Sequence, residues 1–405
     1  MEEEKKQHIL AMGLRLANST GFEVVGEKGA ENFQFLFSIF KKMIENDHQC
    51  QLVDNRSKEA VLQSLDHTIA FYNATNVKEI QKLLENLKNN VNESFMIVPV
   101  YNIDRLATDH VHCLLIHKKN DQYVVTKTDK LHNIEHPVGA PDKINEYANF
   151  YTELSKNKLP ALSQVLFFSK QEHHKESILD IGYIIGSLNK YKRTHLPVDW
   201  SGYRGVTNCP INEPLATLRL ALYNCRHTIF TDRINRYKPK VENSKEFHKH
   251  FFQAFNENKK EVKPYYQALW QIYEERKDKA HCENLWQEHC QEKAANGEKY
   301  IKKDKETMDR FLAKHFVNKV LALPNTPEFI KHTENLRSKG EDPAFRVFTS
   351  DSDKLKKWDS DKFIRYVSNT NRTKQLKRRF RELLPCVSKS KRISTTQRQV
   401  EGPSR

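Results

Sequence analysis

The chain has 405 residues, 38% of them hydrophobic, a net charge of +15 and a mean hydropathy of −0.76. This length allows two or three domains with substantial buried cores, so a peptide-sized or disulfide-stapled fold is excluded. No run approaches the roughly 18 apolar residues of a membrane span, and the charged start MEEEKKQHIL is unlike a signal peptide. The seven cysteines lack any CxxC pair, which favours free thiols in a reducing cytosol over a disulfide framework or a zinc site.

The first ninety residues have the periodicity of helices. Apolar side chains recur at three- and four-residue intervals within 33–44, 61–69 and 80–87. We therefore expect residues 1–93 to form an N-terminal helical region.

After Ser94 the pattern changes to short apolar runs between polar turns, at 96–101, 112–116, 122–125 and 164–168. These runs predict strands of a small mixed β-sheet within a core that spans 94–233. From Pro214 helical periodicity returns, and residues 234–368 are predicted to form a C-terminal helical domain. The expected fold class is α+β, with the sheet packed on helices and flanked by helical regions on both sides.

The end of the chain, 369–405, is strongly basic. Between Arg372 and Arg405 there are eleven Lys or Arg and two Glu, so this segment carries nine of the fifteen net charges. Such a tail can be attracted to nucleic acid or to an anionic lipid surface, which would suit a non-enzymatic adaptor. A solvated and partly disordered tail is the simpler interpretation, because only Phe380 offers an aromatic ring for base stacking.

The segment 110–129 predicts a β-hairpin with a catalytic pair. Asn120 and Asp121 tolerate positive φ and form a plausible two-residue turn. In that register the numbers of facing residues sum to 241, which sets His112 opposite Asp129 on one face of the hairpin. An Asp that accepts one ring N–H leaves the other nitrogen free to take a proton, so His112 is the predicted general base. His110 is the alternative base if the register shifts.

Cys209 is the predicted nucleophile. It follows the glycine-containing segment SGYRGVTN and precedes an amphipathic helix. The partial positive charge of a helix amino terminus, together with a nearby imidazolium, favours the reactive thiolate. A small buried cysteine without chemistry is the competing interpretation. Because of Pro210 and Pro214, we expect the regular helix to begin a few residues after Cys209.

The order His112, Asp129, Cys209 and the local contexts resemble the clan CE cysteine proteases, the Ulp and SENP type that process ubiquitin-like proteins, with the YopJ-like acetyltransferases as a branch. In that clan an apolar strand leads to a His, an acid follows about seventeen residues later, and a Cys heads a helix. The resemblance covers about 95–225 and implies a papain-like, Ulp-like core. It also implies that His112, Asp129 and Cys209 are the catalytic residues.

The sequence departs from the family pattern around these residues. Cys113 stands where the family commonly has a tryptophan after its His, and Asn208-Cys209-Pro210 replaces the family's DCG. Tyr203 and Arg204 occupy the positions of the family's Gln, so the donor that stabilises the oxyanion is open between Asn208 and a backbone amide.

The resemblance implies a cysteine peptidase that removes ubiquitin or a ubiquitin-like modifier from conjugates. Asp as the acid is closer to the peptidases than to the acetyltransferases, which more often have Glu. The alternatives are a YopJ-like acetyltransferase with the same triad and the basic adaptor. The expected location is cytoplasmic, and the sequence is also compatible with a bacterial effector delivered into a host cell without a classical signal peptide.

No cofactor and no metal are predicted. The sequence has no GxGxxG, GxxxxGK[ST], HExxH or GxSxG motif. His110 and His112 have the spacing of metal ligands on one strand face, but no third and fourth ligand can be named. The His-Cys pairs at 281–282 and 289–290 lie about 12 Å apart along a helix, too far for one zinc ion, and are expected to be ordinary helix residues.

Overall fold

A computed structural model describes residues 2–103, 109–130, 149–171, 181–190, 192–196, 208–230, 244–256, 262–297 and 304–339. The predicted basic tail, 369–405, lies outside these residues. The described part of the chain has an α+β fold, as predicted, with twelve α-helices and five strands.

The helices precede, interrupt and follow the strands in chain order. They are α1 (Glu2–Gly13), α2 (Gly26–Glu45), α3 (Asn55–Asn73), α4 (Val77–Glu85), α5 (Leu159–Ser169), α6 (Ile181–Leu188), α7 (Cys209–Arg226), α8 (Ser244–Ala254), α9 (Pro264–Lys277), α10 (Lys279–Ala295), α11 (Lys305–Leu321) and α12 (Glu328–Ser338). The strands are β1 (Phe95–Ile103), β2 (Asp109–Lys119), β3 (Gln122–Thr128), β4 (Phe150–Ser155) and β5 (Thr194–His195). The predicted helical segments at 33–44 and 61–69 lie within α2 and α3. The third, at 80–87, covers the end of α4 and the two residues that follow it.

The five strands form one sheet in the order β1-β2-β3-β4-β5. Every pair of neighbouring strands in it is antiparallel, so the predicted mixed sheet is replaced by an antiparallel meander. The two-residue turn at Asn120 and Asp121 can join β2 and β3 only as an antiparallel pair, whereas parallel pairing requires a crossover connection.

The predicted strand at 164–168 is wrong, because these residues belong to α5. The helix has Pro160 in its first turn, where the missing N–H is tolerated, and nearly all its side chains are buried. A short helix that is apolar on all sides has the same composition as a buried strand, so periodicity does not distinguish them.

Helix α3 covers the open edge of the sheet at β1. The outward N–H of Phe95 donates to Ser64 Oγ at 3.0 Å, and that of Ile97 donates to Thr68 Oγ1 at 3.1 Å. Ser64 and Thr68 are four residues apart and therefore share one helix face, which matches alternate residues of the strand. Hydroxyl oxygens of α3 thus accept the backbone hydrogen bonds that another strand would accept at this edge.

Helix α7 packs across β1, β2 and β3. Thr217 Oγ1 lies 2.5 Å from Thr128 Oγ1, which fixes the helix against the end of β3. Contrary to expectation, the helix begins at Cys209 itself, although Pro214 stands inside it. Pro210 is tolerated because the first helical N–H groups need no intrahelical acceptor.

Helices from both ends of the chain complete the core. Helix α1 contacts α7 and α8, and α2 contacts α8. At the end of α1, Gly13 has no Cβ, which leaves room for the ring of buried Phe251 in α8. The buried apolar residues of these elements form one continuous cluster with those of the sheet. None of the helices in the described residues combines the length and hydrophobicity needed to cross a lipid bilayer.

Candidate active site

The hairpin that carries the predicted acid has the expected register. Asn120 and Asp121 have φ values of 49° and 56°, the left-handed conformation of a two-residue hairpin turn. The facing pairs run from Lys119 with Gln122 to Cys113 with Thr128, so their numbers sum to 241 as predicted. This register brings Asp129 to the face of β2 that carries the two histidines.

The ladder between β2 and β3 ends at Thr128, one residue before the acid. The N–H of Asp129 donates to Asn149 Oδ1 at 2.9 Å, and the next N–H, of Lys130, donates to Glu213 Oε1 at 3.3 Å. Two side chains from outside the hairpin therefore hold the backbone around Asp129 at the point where β3 stops.

This arrangement changes the identity of the candidate base. Asp129 Oδ1 lies 2.9 Å from Nε2 of His110, the residue diagonally across the hairpin, and both side chains are buried. His112, the predicted base, is buried on the same strand face. The physical reason is that Asp129 has left the ladder, so its side chain does not pair with the residue that the register alone would set opposite. We therefore transfer the predicted role of base from His112 to His110.

Cys209 lies where the sequence predicted a nucleophile, at the first residue of α7. The thiol lies close enough to His110 to raise the pKa of that imidazole, and its sulfur accepts the N–H of Val111, the residue after His110, at 3.4 Å. The structure thus brings together Asp129, His110 and Cys209 in a continuous chain of polar contacts.

The electrostatics of the pair favour a charged imidazole. Burial alone would lower the pKa of His110, but the charge and hydrogen bond of Asp129, and the contact with Cys209, raise it well above its ordinary value. Burial would raise the pKa of Asp129, but His110, with smaller contributions from Lys127 and His112, lowers that pKa below its usual range. Both shifts stabilise the ion pair between the His110 imidazolium and the Asp129 carboxylate.

The structure narrows the choice of oxyanion donor. The side-chain N–H of Asn208 donates to the carbonyl of Met12 at 2.7 Å, in the buried contact between α1 and the start of α7. Asn208 therefore has a structural partner. Of the backbone groups at the start of α7, Pro210 has no N–H, and the N–H groups of Ile211 and Asn212 donate to the carbonyl of Asn208 at 3.2 and 3.0 Å. The N–H of Cys209 itself is therefore the backbone donor that the geometry favours.

Glu213 is a site residue that the sequence analysis missed. It is fully buried on α7, one turn after Cys209, and its carboxylate faces the His110–Asp129 pair. Burial and the positive charge of Arg15 lower the pKa of neighbouring Lys130 to about 7, although Glu213 opposes that shift. The signal in the sequence was a lone carboxylate within the otherwise uncharged start of the helix, CPINEPLATL.

The two His-Cys pairs, at 281–282 and 289–290, lie in α10. Cys282 and Cys290 are buried residues of α10, consistent with their interpretation as ordinary helix residues. No protein family, curated protein or solved structure matches this chain.

Proposed function

We propose that this protein is a cysteine-dependent acyl-transfer enzyme, and specifically a peptidase that cleaves ubiquitin or a ubiquitin-like protein from conjugates inside a cell. One observation carries the proposal: a single buried imidazole, His110, joins a carboxylate to a thiol that heads a helix. That combination supplies an orienting acid, a base and an activated nucleophile.

The reaction follows from the roles of the three side chains. The Cys209 thiolate attacks the carbonyl carbon of the modifier's C-terminal glycine, and the tetrahedral intermediate forms beside the backbone N–H of Cys209. The C–N bond then breaks, and the leaving amine takes a proton from the His110 imidazolium. Water loses a proton to His110, attacks the thioester and releases the modifier with a free carboxylate. Asp129 holds the imidazole in orientation throughout.

The chain order and the α+β fold support the peptidase of the Ulp and SENP type within this class. A strand leads to the base, an acid follows the next strand, and the nucleophile begins a helix, as in that clan. The corrected base lies nineteen residues before the acid, where the clan has about seventeen. This difference corresponds to the diagonal contact across the hairpin, which replaces a directly facing pair.

An activity-based probe tests the proposal. A ubiquitin or SUMO molecule with an electrophilic C-terminus should form a stable adduct with the full-length protein, because the modifier places the electrophile at the thiol. Cys209→Ala should abolish the adduct, whereas Cys50→Ala, which removes a partly exposed thiol outside the site, should leave it. Adducts that persist in Cys209→Ala would contradict the assignment of the nucleophile.

The acetyltransferase alternative is tested with the same variants by measuring acetylation of the protein. Incubation with labelled acetyl-CoA should leave the wild type unlabelled if the enzyme is a peptidase. Acetylation that depends on Cys209, in the absence of a ubiquitin or SUMO adduct, would overturn the peptidase proposal and retain acyl transfer.

A further inference from the structure

Three metal-ligand side chains from separate elements converge in the described part of the site. His110 comes from β2, Asp129 follows β3, and Glu213 comes from α7. A ring nitrogen of the first and a carboxylate oxygen of each of the others lie within 4.8 Å of one another. All three residues are buried, and Glu213 is fully so.

The donor set suits zinc better than the alkaline-earth cations. Zinc binds imidazole nitrogen and carboxylate oxygen at about 2.0–2.2 Å, so neighbouring donors of a tetrahedral site lie roughly 3.4 Å apart. The widest pair of donors, at most 4.8 Å apart, would approach by up to about 1.4 Å, whereas His110 Nε2 and Asp129 Oδ1, at 2.9 Å, would separate slightly. A water molecule can complete the tetrahedron. Mg²⁺ and Ca²⁺ prefer sites made of oxygen ligands alone.

The charges of the donors also match a divalent cation. The two carboxylates of Asp129 and Glu213 balance the +2 charge of the ion once His110 has released its proton and Lys127, whose Nζ lies 3.6 Å from Asp129 Oδ2, has given up that contact. Since burial of an unbalanced charge is costly, a neutral complex is the arrangement that a buried site can hold.

We propose that His110, Asp129 and Glu213 form a zinc site, and that an occupying Zn²⁺ ion inhibits the enzyme. Coordination takes the imidazole and the carboxylate that otherwise bond to each other, so the base and its orienting acid are both withdrawn from catalysis. The binding does not depend on the proposed function, whereas the inhibition rests on it.

Zinc affinity of the metal-free full-length protein tests the site directly. Competition with a chromophoric chelator should show that Glu213→Gln weakens the binding of one zinc equivalent by about tenfold or more. Glu59→Gln, which makes the same change on the exposed surface of α3, should bind zinc as the wild type does. Equal zinc affinity of wild type and Glu213→Gln would overturn the site.

Two further variants keep the test decisive if Glu213→Gln does not fold, as judged by its thermal unfolding. Asp129→Asn and His110→Gln each remove one of the other proposed ligands and should cause the same loss of one zinc equivalent. Wild-type affinity in both folded variants would refute the site.

Inhibition is measured separately with the ubiquitin-like probe. Zinc at one equivalent should slow adduct formation by the wild type by at least about tenfold relative to its metal-free rate, EDTA should restore the rate, and Mg²⁺ should have no effect. An unchanged rate at full zinc occupancy would overturn inhibition alone. A protein that binds zinc at these residues but never forms an adduct would refute the proposed function and leave the metal site standing.

Discussion

The position of Asp129 decides which of the two histidines on one face of β2 contacts its carboxylate. Asp129 lies just beyond the last pair of the ladder and reaches His110. Because His110 also contacts Cys209, its imidazole is the group that can move a proton to and from the thiol.

We predict that His110→Ala lowers the rate of Cys209 alkylation by iodoacetamide at pH 7 by about 10²-fold or more, since the thiolate loses its counter-ion and base. His112→Ala is the matched control, because it removes an equally buried imidazole from the same strand. It should change the rate much less. Mass spectrometry of the Cys209 peptide over time gives both rates, and a larger effect in His112→Ala would restore the original assignment.

The His110–Asp129 pair should make stability depend on pH. The pKa of His110 is raised, so its contribution is fully present below the ordinary His value of about 6.5 and is lost as pH rises through the raised pKa. The pKa of Asp129 is lowered, so its contribution is present above the ordinary Asp value of about 3.9 and is lost as pH falls through the lowered pKa. Both stabilising contributions are therefore present between about pH 3.9 and about pH 6.5.

We therefore predict that Asp129→Asn reduces the free energy of unfolding by on the order of 3 kcal/mol near pH 5.5, and by less at high pH. Urea unfolding of wild type and variant at several pH values measures the difference. A difference that grows steadily from pH 5.5 to pH 10 would contradict the proposed ion pair.

At the residue scale the sequence predicted that Asp129 contacts a histidine of β2 and that Cys209 lies at the start of a helix, but it named His112 where the contact is with His110. The turn residues Asn120 and Asp121 fix the register locally, so the face carrying Asp129 could be derived. The point where the ladder stops depends on Asn149 and Glu213, which are distant in sequence. No local sequence pattern predicts such contacts. His110, the diagonal partner of Asp129, could therefore be named only as an alternative base.

At the scale of elements, the edge of the sheet depends on side chains from one helix. We predict that Thr68→Val lowers the free energy of unfolding by about 1–3 kcal/mol, because the buried N–H of Ile97 loses its acceptor. Thr68→Ser retains the hydroxyl and should restore most of that stability. Urea unfolding compares the two variants with the wild type, and equal losses in both would show that packing of the methyl group matters instead.

Helices and strands could be told apart from the sequence where only one face of the element is buried. Helices α2, α3 and α4 expose one face and therefore have clear periodicity, and the hairpin strands are bounded by strong turn residues. Helix α5 is buried on nearly all sides, which removed the periodic signal. The start of α7 was misplaced because Pro214 is disfavoured within a helix, and tertiary packing on the sheet outweighs that local preference.

At the scale of the whole molecule, the site depends on the N-terminal helical region. Helix α3 covers the edge of β1, and α1 holds the N-cap residue of α7 through the carbonyl of Met12. The buried apolar residues of the helices and of the sheet form one continuous core.

We predict that a fragment of residues 94–233 does not unfold cooperatively, because it would expose the surfaces that α1 and α3 bury. A fragment of residues 1–339, which retains every described element, should unfold with a midpoint close to that of the full chain. Urea titrations followed by circular dichroism compare the two. A cooperative transition in the shorter fragment would show that the predicted catalytic core is an independent domain.

The hydrogen bond from the backbone of Asp129 to Asn149 Oδ1 makes the choice of histidine depend on a residue outside the hairpin. Without it, one more pair of residues could join the ladder, and Asp129 would face His112 directly. The two imidazoles of β2 would then exchange places as the partner of one carboxylate, although neither strand had changed in sequence.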